Sequence, residues 1–236
     1  SKQFTGALEF KEEGFNFNIS VQKSMIFNRV FWVPGDDFMY YPENISKTYV
    51  NSINLQLSQN LQWINYKILY TYSTGDETLI LASSQDYSGE VYLKEFTRNL
   101  TYTPEHKFSW SLNFDLKDFE IKFYGYYRDN ISNYFQEFDF GFEEIRYAYR
   151  KKVISPKFNL NLVLKKDVTL FFNRVLSQGE VFGNIRNVIF ELGFENILND
   201  KTPEAFGYML CDEDYPGEPA KIFFKLSFNC EQIKKL

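Results

Sequence analysis

From one end of the chain to the other, apolar residues recur at every second position, with Asn, Ser, Gln and Thr between them. Phe15, Phe17, Ile19 and Val21 alternate with Asn16, Asn18, Ser20 and Gln22; Phe108, Trp110, Leu112, Phe114 and Leu116 alternate with Ser109, Ser111, Asn113 and Asp115. Near the end, Ile222, Phe224, Leu226 and Phe228 alternate with Phe223, Lys225, Ser227 and Asn229. A strand points successive side chains to opposite faces, so each segment gives one greasy and one polar surface. Repeated along the whole chain, the pattern predicts a barrel wall.

Composition agrees with a wall that is apolar on one side only. Aromatics reach 19%, with 26 Phe and 17 Tyr, yet the mean hydropathy is -0.38. The 236 residues fit one large all-β domain better than two small ones, since barrels and sandwiches reach this size as single units. No run of about 18 apolar residues exists, which excludes a membrane-spanning helix but not a spanning barrel, whose strands need only ~9–11 residues.

Strands are predicted over residues 4–11, 15–27, 48–58, 63–73, 107–116, 119–128, 158–165, 168–176, 187–196 and 220–228, from alternation and β-branched or aromatic content. The stretch 143–152 also reads as a strand through Ile145, Tyr147 and Tyr149, although Phe142, Ile145 and Tyr149 suit a helical face as well. Short polar links at Glu12-Glu13-Gly14, residues 58–62 and Lys117-Asp118 read as hairpin turns. The connections 33–47, 74–105, 129–142 and 197–219 are long and aromatic. A soluble antiparallel sandwich would alternate in the same way. Three details favour the membrane wall: large aromatics and Leu on the apolar face, neutral polar residues opposite, and only 12 Gly and 7 Pro. Short turns on one rim and long loops on the other belong to outer-membrane barrels.

Little in the sequence suggests a reaction centre, and no catalytic residue or cofactor is assigned. The net charge of -5 gives no basic footprint for nucleic acid. His106 is the single histidine, and neither Cys211 nor Cys230 has a CxxC partner, which argues against a His/Cys zinc site. His106 beside Pro104 reads as a rim residue rather than a base. The acidic groups Asp36-Asp37 and Asp212-Glu213-Asp214 read as solvated loop surface in preference to a cation site, and no metal ligand is assigned. Cys211 in a long loop and Cys230 after the last strand fall at opposite rims, which argues against a disulfide.

Aromatic loops are the better candidates. Phe31, Trp32, Phe38, Tyr40 and Tyr41 gather around the first long loop; Tyr126, Tyr127, Arg128, Tyr134 and Phe135 surround another. Stacking faces beside an Arg suit capture of a planar or anionic ligand, and Trp32, Tyr40, Tyr41, Tyr126, Arg128 and Tyr134 are the candidate ligand-binding residues. The competing assignment is the aromatic girdle of a membrane barrel.

Several landmarks, in order, carry a family resemblance: Gln3-Phe4-Thr5-Gly6-Ala7-Leu8-Glu9-Phe10 ahead of a second alternating strand, Pro104-Glu105-His106-Lys107 entering a strand, Asn196-Ile197-Leu198-Asn199-Asp200 near the last hairpin, and Tyr215-Pro216-Gly217 before the closing aromatic run. In these the chain resembles the C-terminal half of a TonB-dependent outer-membrane receptor. The resemblance implies an antiparallel transmembrane β-barrel, about half of one with ~22 strands, with short periplasmic turns and long extracellular loops. It implies a bacterial outer-membrane transporter that binds a scarce ligand such as an iron–siderophore or cobalamin at its loops and imports it with energy from TonB–ExbB–ExbD. Outer-membrane lipid and the missing N-terminal barrel half and plug, on the same or a companion chain, are its implied partners. A passive porin or small autonomous barrel, and a soluble β-sandwich binding module, are the alternatives.

Nothing here resembles the plug or the TonB-contacting box. The chain opens Ser1-Lys2-Gln3 with neither Met nor an apolar leader, as a processed product or a fragment would. The barrel portion is expected over 1–228, with 229–236 a tail beyond the terminal aromatic Phe228. Counting 143–152, about eleven strands place the two termini on opposite sides of the membrane, with Ser1 at the outer rim and another segment needed to close the sheet.

Overall fold

A computed structural model of the chain describes residues 1–34, 40–86, 91–101, 103–117, 119–140, 144–176, 185–203 and 217–230, with side chains described outside 28–46, 81–91, 93, 133–150, 175–186 and 228–230. The elements are β1 (Lys2–Glu12), β2 (Phe15–Pro34), β3 (Tyr40–Asn60), β4 (Ile64–Asp86), β5 (Val91–Asn99), β6 (His106–Leu116), β7 (Phe119–Arg128), β8 (Ile131–Phe140), β9 (Glu144–Ile154), β10 (Lys157–Asp167), α1 (Thr169–Leu176), β11 (Ile185–Glu195) and β12 (Lys221–Cys230). All twelve strands belong to one sheet, in the order β1-β2-β3-β4-β6-β7-β10-β11-β12, with β5 and β9 added to β4 and β8 to β9. Every pairing is antiparallel.

Among the described residues there are twelve strands where about eleven are expected, and nine of them form the continuous path. Being odd, it still sends β1 and β12 in the same direction, so both start at the rim that carries the long connections. Among the described residues no pairing joins β1 to β12, and the sheet is open along both edges.

Register converts the alternation of single strands into two continuous faces. Phe10, Phe17, Leu57, Ile68, Trp110, Gly125 and Leu160 lie in one row across seven strands, and Leu8, Ile19, Leu55, Tyr70, Phe108, Tyr127 and Phe158 lie in the next. Between these rows the opposite face presents Asn18, Gln56, Leu69, Ser109, Tyr126 and Asn159. Exposed large apolar residues concentrate on the first face, among them Leu8, Phe17, Ile53, Phe158, Phe190 and Phe224. Buried polar residues such as Arg128, Lys157 and Asn161 lie on the second. Side chains crowd on the concave side of a curved sheet and splay on the convex side, so the polar face is the inner one.

Turns at the opposite rim are tight, as expected. Glu12 pairs with Phe15 across Glu13-Gly14, with Gly14 at φ 74°. A Cβ there would sit 2.6 Å from the carbonyl oxygen of Asn60 in the neighbouring turn, which fixes the choice of Gly. Leu116 pairs with Phe119 across another two-residue link.

Three expectations are corrected. The stretch 168–176 is not a strand: the Asp167 carboxylate accepts the Thr169 amide and hydroxyl, and the chain turns into α1. Val168, Leu170 and Phe172 read as period two, but Val168 and Phe172 are four apart, the spacing of one helical face. The long connections 33–47, 74–105 and 129–142 are not structureless either. They contain the outer part of the β2–β3 ladder, which runs to Pro34 opposite Tyr40, together with β5 and β8. Finally, β12 runs through Cys230, two residues past the strand end expected at Phe228; residues 231–236 lie outside the described residues. The ambiguous stretch 143–152 is strand, as β9.

Candidate functional site

A cleft of about 650 Å³ opens on the polar face near the long-connection rim. Its floor is two rows of the sheet: Lys67, Ser111, Tyr124 and Asn161 in one, Leu69, Ser109, Tyr126 and Asn159 in the next. Tyr124 and Tyr126 are two apart on β7 and so share the inner face. The Lys122 ammonium lies 5.5 Å from the Tyr124 ring centroid, within cation–π range. Glu195, Asn196 and Glu218 close the side toward the last hairpin.

The next row outward sets three cations side by side, Lys107, Arg128 and Lys157. Two are engaged with the connections. The buried Arg128 guanidinium donates to the carbonyls of Asp129, Ser155 and Pro203 at 3.2, 3.0 and 2.6 Å, and Lys157 Nζ donates to the Thr202 carbonyl at 3.1 Å. Lys107 is exposed.

Asn196 organises the mouth. It ends β11 with φ 49°, a left-handed conformation that Asn tolerates better than most residues. Its Nδ2 donates to the carbonyls of Asp200 and Glu218, its Oδ1 accepts the Asp200 amide, and its own amide donates to Asn161 Oδ1. Asp200 in turn accepts the amides of Phe158 and Thr202. Burial works against the Asp200 charge, but the hydrogen bonds from Thr202 and the Phe158 amide, with Lys157 nearby, hold its carboxyl below the usual range. Asn199, also left-handed at φ 52°, accepts the Ala220 amide. Gly217 packs against this clasp: a Cβ would fall 2.4 Å from the Thr202 carbonyl oxygen and 2.9 Å from Lys157 Nζ.

Of the residues expected to bind ligand, Tyr126 lies on the cleft floor, half-buried. Arg128 is one row away with its donors on loop carbonyls. Trp32 stands opposite Pro42, Tyr41 opposite Val33 and Tyr40 opposite Pro34 in the outer β2–β3 ladder, and Tyr134 opposite Lys151 in the β8–β9 hairpin; their side chains lie outside the described residues. The acidic groups Asp36-Asp37 and Asp212-Glu213-Asp214, and Cys211, also lie outside the described residues. Lys67, Lys107 and Tyr124 were not singled out by sequence, because only register shows that they share a face.

His106 is the rim residue that its place at a loop-to-strand junction suggests. It opens β6 on the apolar face, its Nδ1 hydrogen-bonded at 2.8 Å to the Tyr70 hydroxyl, its ring 6.1 Å from that of Tyr70 and 5.1 Å from that of Tyr72. These side chains form a polar-tipped aromatic group at the edge of the greasy surface. Farther out, Glu77 (1% exposed) is bound by Arg98 at 3.2 Å and Thr101 at 3.1 Å, tying β4, β5 and the following loop together.

Comparison with known proteins identifies the architecture. No protein-family model matches the chain, and no curated protein matches it. Among solved structures, the ferripyoverdine receptor of the outer membrane of Pseudomonas aeruginosa, bound to ferripyoverdine, superposes with a TM-score of 0.57 at 11% identity, over 92% of this chain and 25% of that one. The FpvAI–pyocin S2 complex gives 0.59 at 10% identity, over 94% and 27%. The ferric-catecholate import receptor Fiu of E. coli K12 gives 0.55 at 15% identity, over 93% and 26%. The chain thus spans about a quarter of the length of these receptors. In fold, the chain is an antiparallel sheet that matches part of the barrel of these outer-membrane receptors.

Proposed function

We propose that the chain forms part of the wall of an outer-membrane transport receptor that captures a scarce chelate, an iron–siderophore or a ligand such as cobalamin, and imports it with energy supplied through TonB–ExbB–ExbD. The observation that carries this reading is the cleft on the inner face. Tyr124 and Tyr126 give stacking surfaces, Ser109, Ser111, Asn159 and Asn161 give hydrogen-bond groups, and Lys67 adds positive charge beside them. A planar, hydrogen-bonding chelate fits that chemistry, with the carboxylates of Glu195 and Glu218 in the same cleft. Trp32 and Tyr40, at polar-face register positions of the β2–β3 extension, are further candidate ligand-binding residues, whereas Tyr41 falls on the opposite face; Tyr134 lies on the β8–β9 hairpin. Arg128 fixes the connections that frame it. The open edges of β1 and β12 are completed by the rest of the barrel, which encloses a plug.

The test is uptake by cells carrying the encoding gene or a deletion of it, supplied in turn with labelled ferric catecholate, ferric hydroxamate and cobalamin, with TonB present or absent. One ligand should require both the gene and TonB. Uptake that needs the gene but not TonB would favour a passive pore.

A further inference from the structure

The helix α1 breaks the rule of the rim on which it lies. The other connections there are tight turns, whereas β10 and β11 are joined through eight helical residues, Thr169–Leu176. Its attachment is specific. The Val168 amide donates to the Val188 carbonyl at 2.9 Å, and the Val188 amide donates to Thr169 Oγ1 at 2.8 Å. Val188 follows the apolar-face row positions of Phe190, Leu192 and Phe194 on β11, yet it is 0% exposed while Phe190 stays exposed. α1 packs on β11, with its Thr169 hydroxyl bound to the Val188 amide. Val168 and Phe172, four residues apart, are the half-buried residues on the packed side.

That packing leaves an apolar surface outward. Leu170 is 81% exposed and Phe171 66%, apolar surface whose removal from water is favourable. The surface continues the greasy face of the wall through Phe190 and its neighbour Leu226 on β12. Basic residues flank it: Lys166 on the same face just before the helix, and Arg174 in its last turn. The Asp167 carboxylate is turned into the hydrogen bonds with Thr169 that start the helix. An apolar side continuous with a lipid-facing wall, flanked by cations, is the pattern of a helix lying in a membrane interface.

We infer that α1 is an interfacial anchor, seated in the headgroup layer of the leaflet at the short-turn rim, with Leu170 and Phe171 inserted among acyl chains and Lys166 and Arg174 toward lipid phosphates. The inference rests on the apolar face of the wall meeting lipid, and its test separates the two. The full chain, with Cys211→Ser and Cys230→Ser, is reconstituted in phosphatidylethanolamine–phosphatidylglycerol vesicles and carries one nitroxide at a time through Leu170→Cys, Phe224→Cys or Glu13→Cys. Spin relaxation by oxygen, which concentrates in lipid, is compared with relaxation by a water-soluble nickel chelate. Leu170 is expected to show an oxygen-to-nickel ratio several-fold above Glu13 and below Phe224, as a depth of about 5–10 Å requires. A Leu170 label that reads like Glu13 while Phe224 reads as lipid overturns the anchor and leaves the wall intact. A Leu170 label reached by neither reagent shows protein covering α1, and also overturns it. Water-like readings at both Leu170 and Phe224 overturn the lipid-facing wall and the anchor together.

Discussion

The side-chain amide of Asn196 donates a 2.7 Å hydrogen bond to the backbone carbonyl of Glu218, closing the connection between the last two strands across 22 residues. Asn196 is 2% exposed and makes three further bonds to Asn161 and Asp200. Replacing it by Ala removes the side-chain bonds and the residue best suited to its left-handed φ, for a loss of about 1–3 kcal/mol. Amide hydrogen exchange should show the Asp200 amide losing protection while the β10–β11 and β11–β12 ladders keep theirs. Unchanged exchange at Asp200 would contradict the clasp.

Acid should open the same clasp. Because Asp200 has a folded pKa below its unfolded value near 3.9, its contribution to stability is fully present above that value. It is lost as the pH falls through the folded pKa. Protection of the Phe158 and Thr202 amides, both donated to the Asp200 carboxylate, should therefore hold at pH 6 and fall in strong acid. Asp200→Asn should flatten that acid limb while leaving the remaining pH dependence in place.

Which parts of this were legible in the sequence follows from the range of the forces involved. Alternation is local, so Phe15 to Val21 and Phe108 to Leu116 announced their strands and faces directly. The strand extensions were hidden because residues 74–86 mix Gly75, Asp76 and Glu77 among apolar residues; their strand state is fixed by pairing with β3 and β5. The helix was hidden because Val168, Leu170 and Phe172 alternate as a strand would, and Val168 and Phe172 alone carry the helical spacing. Of the residues lining the cleft, Tyr126 was singled out by its aromatic neighbours. Lys67 and Tyr124 were not, since 57 residues separate them and only the β4–β6–β7 register brings them into one row. Arg128 looked like a ligand-facing charge, and nothing local in the sequence shows that the carbonyls of Ser155 and Pro203 take its donors.

Adjacent residues on β3 test which face meets lipid. Leu55 shares the apolar face with Ile19 and Tyr70, and Gln56 the polar face with Asn18 and Leu69. A cation on the lipid side near the bilayer midplane costs about 2–4 kcal/mol, and little on the lumen side. In unfolding titrations from vesicles, Leu55→Arg should lower stability by about that amount, while Gln56→Arg should shift it by less than about 1 kcal/mol. Equal effects at the two positions would mean that both faces see the same medium.

Two glycines with close neighbours should differ in how well they accept a methyl group. A Cβ on Gly75 would lie 1.9 Å from the backbone carbonyl oxygen of Tyr49, on the paired strand β3. One on Gly193 would lie 2.0 Å from the ring of Phe223 on β12. A ring can swing about its χ angles, whereas a carbonyl held in a ladder moves only with its strand. Overpacking of this kind costs about 1–3 kcal/mol, and the β12 edge, with a free side, yields more easily than the β3–β4 ladder. Gly75→Ala should therefore sit at or above the upper end of that range and Gly193→Ala at the lower end, measured by the same titrations. Phe223→Ala should remove most of the Gly193→Ala penalty, because the clash it relieves is with that ring alone among the nearest atoms; additive losses in the double variant would rule that explanation out.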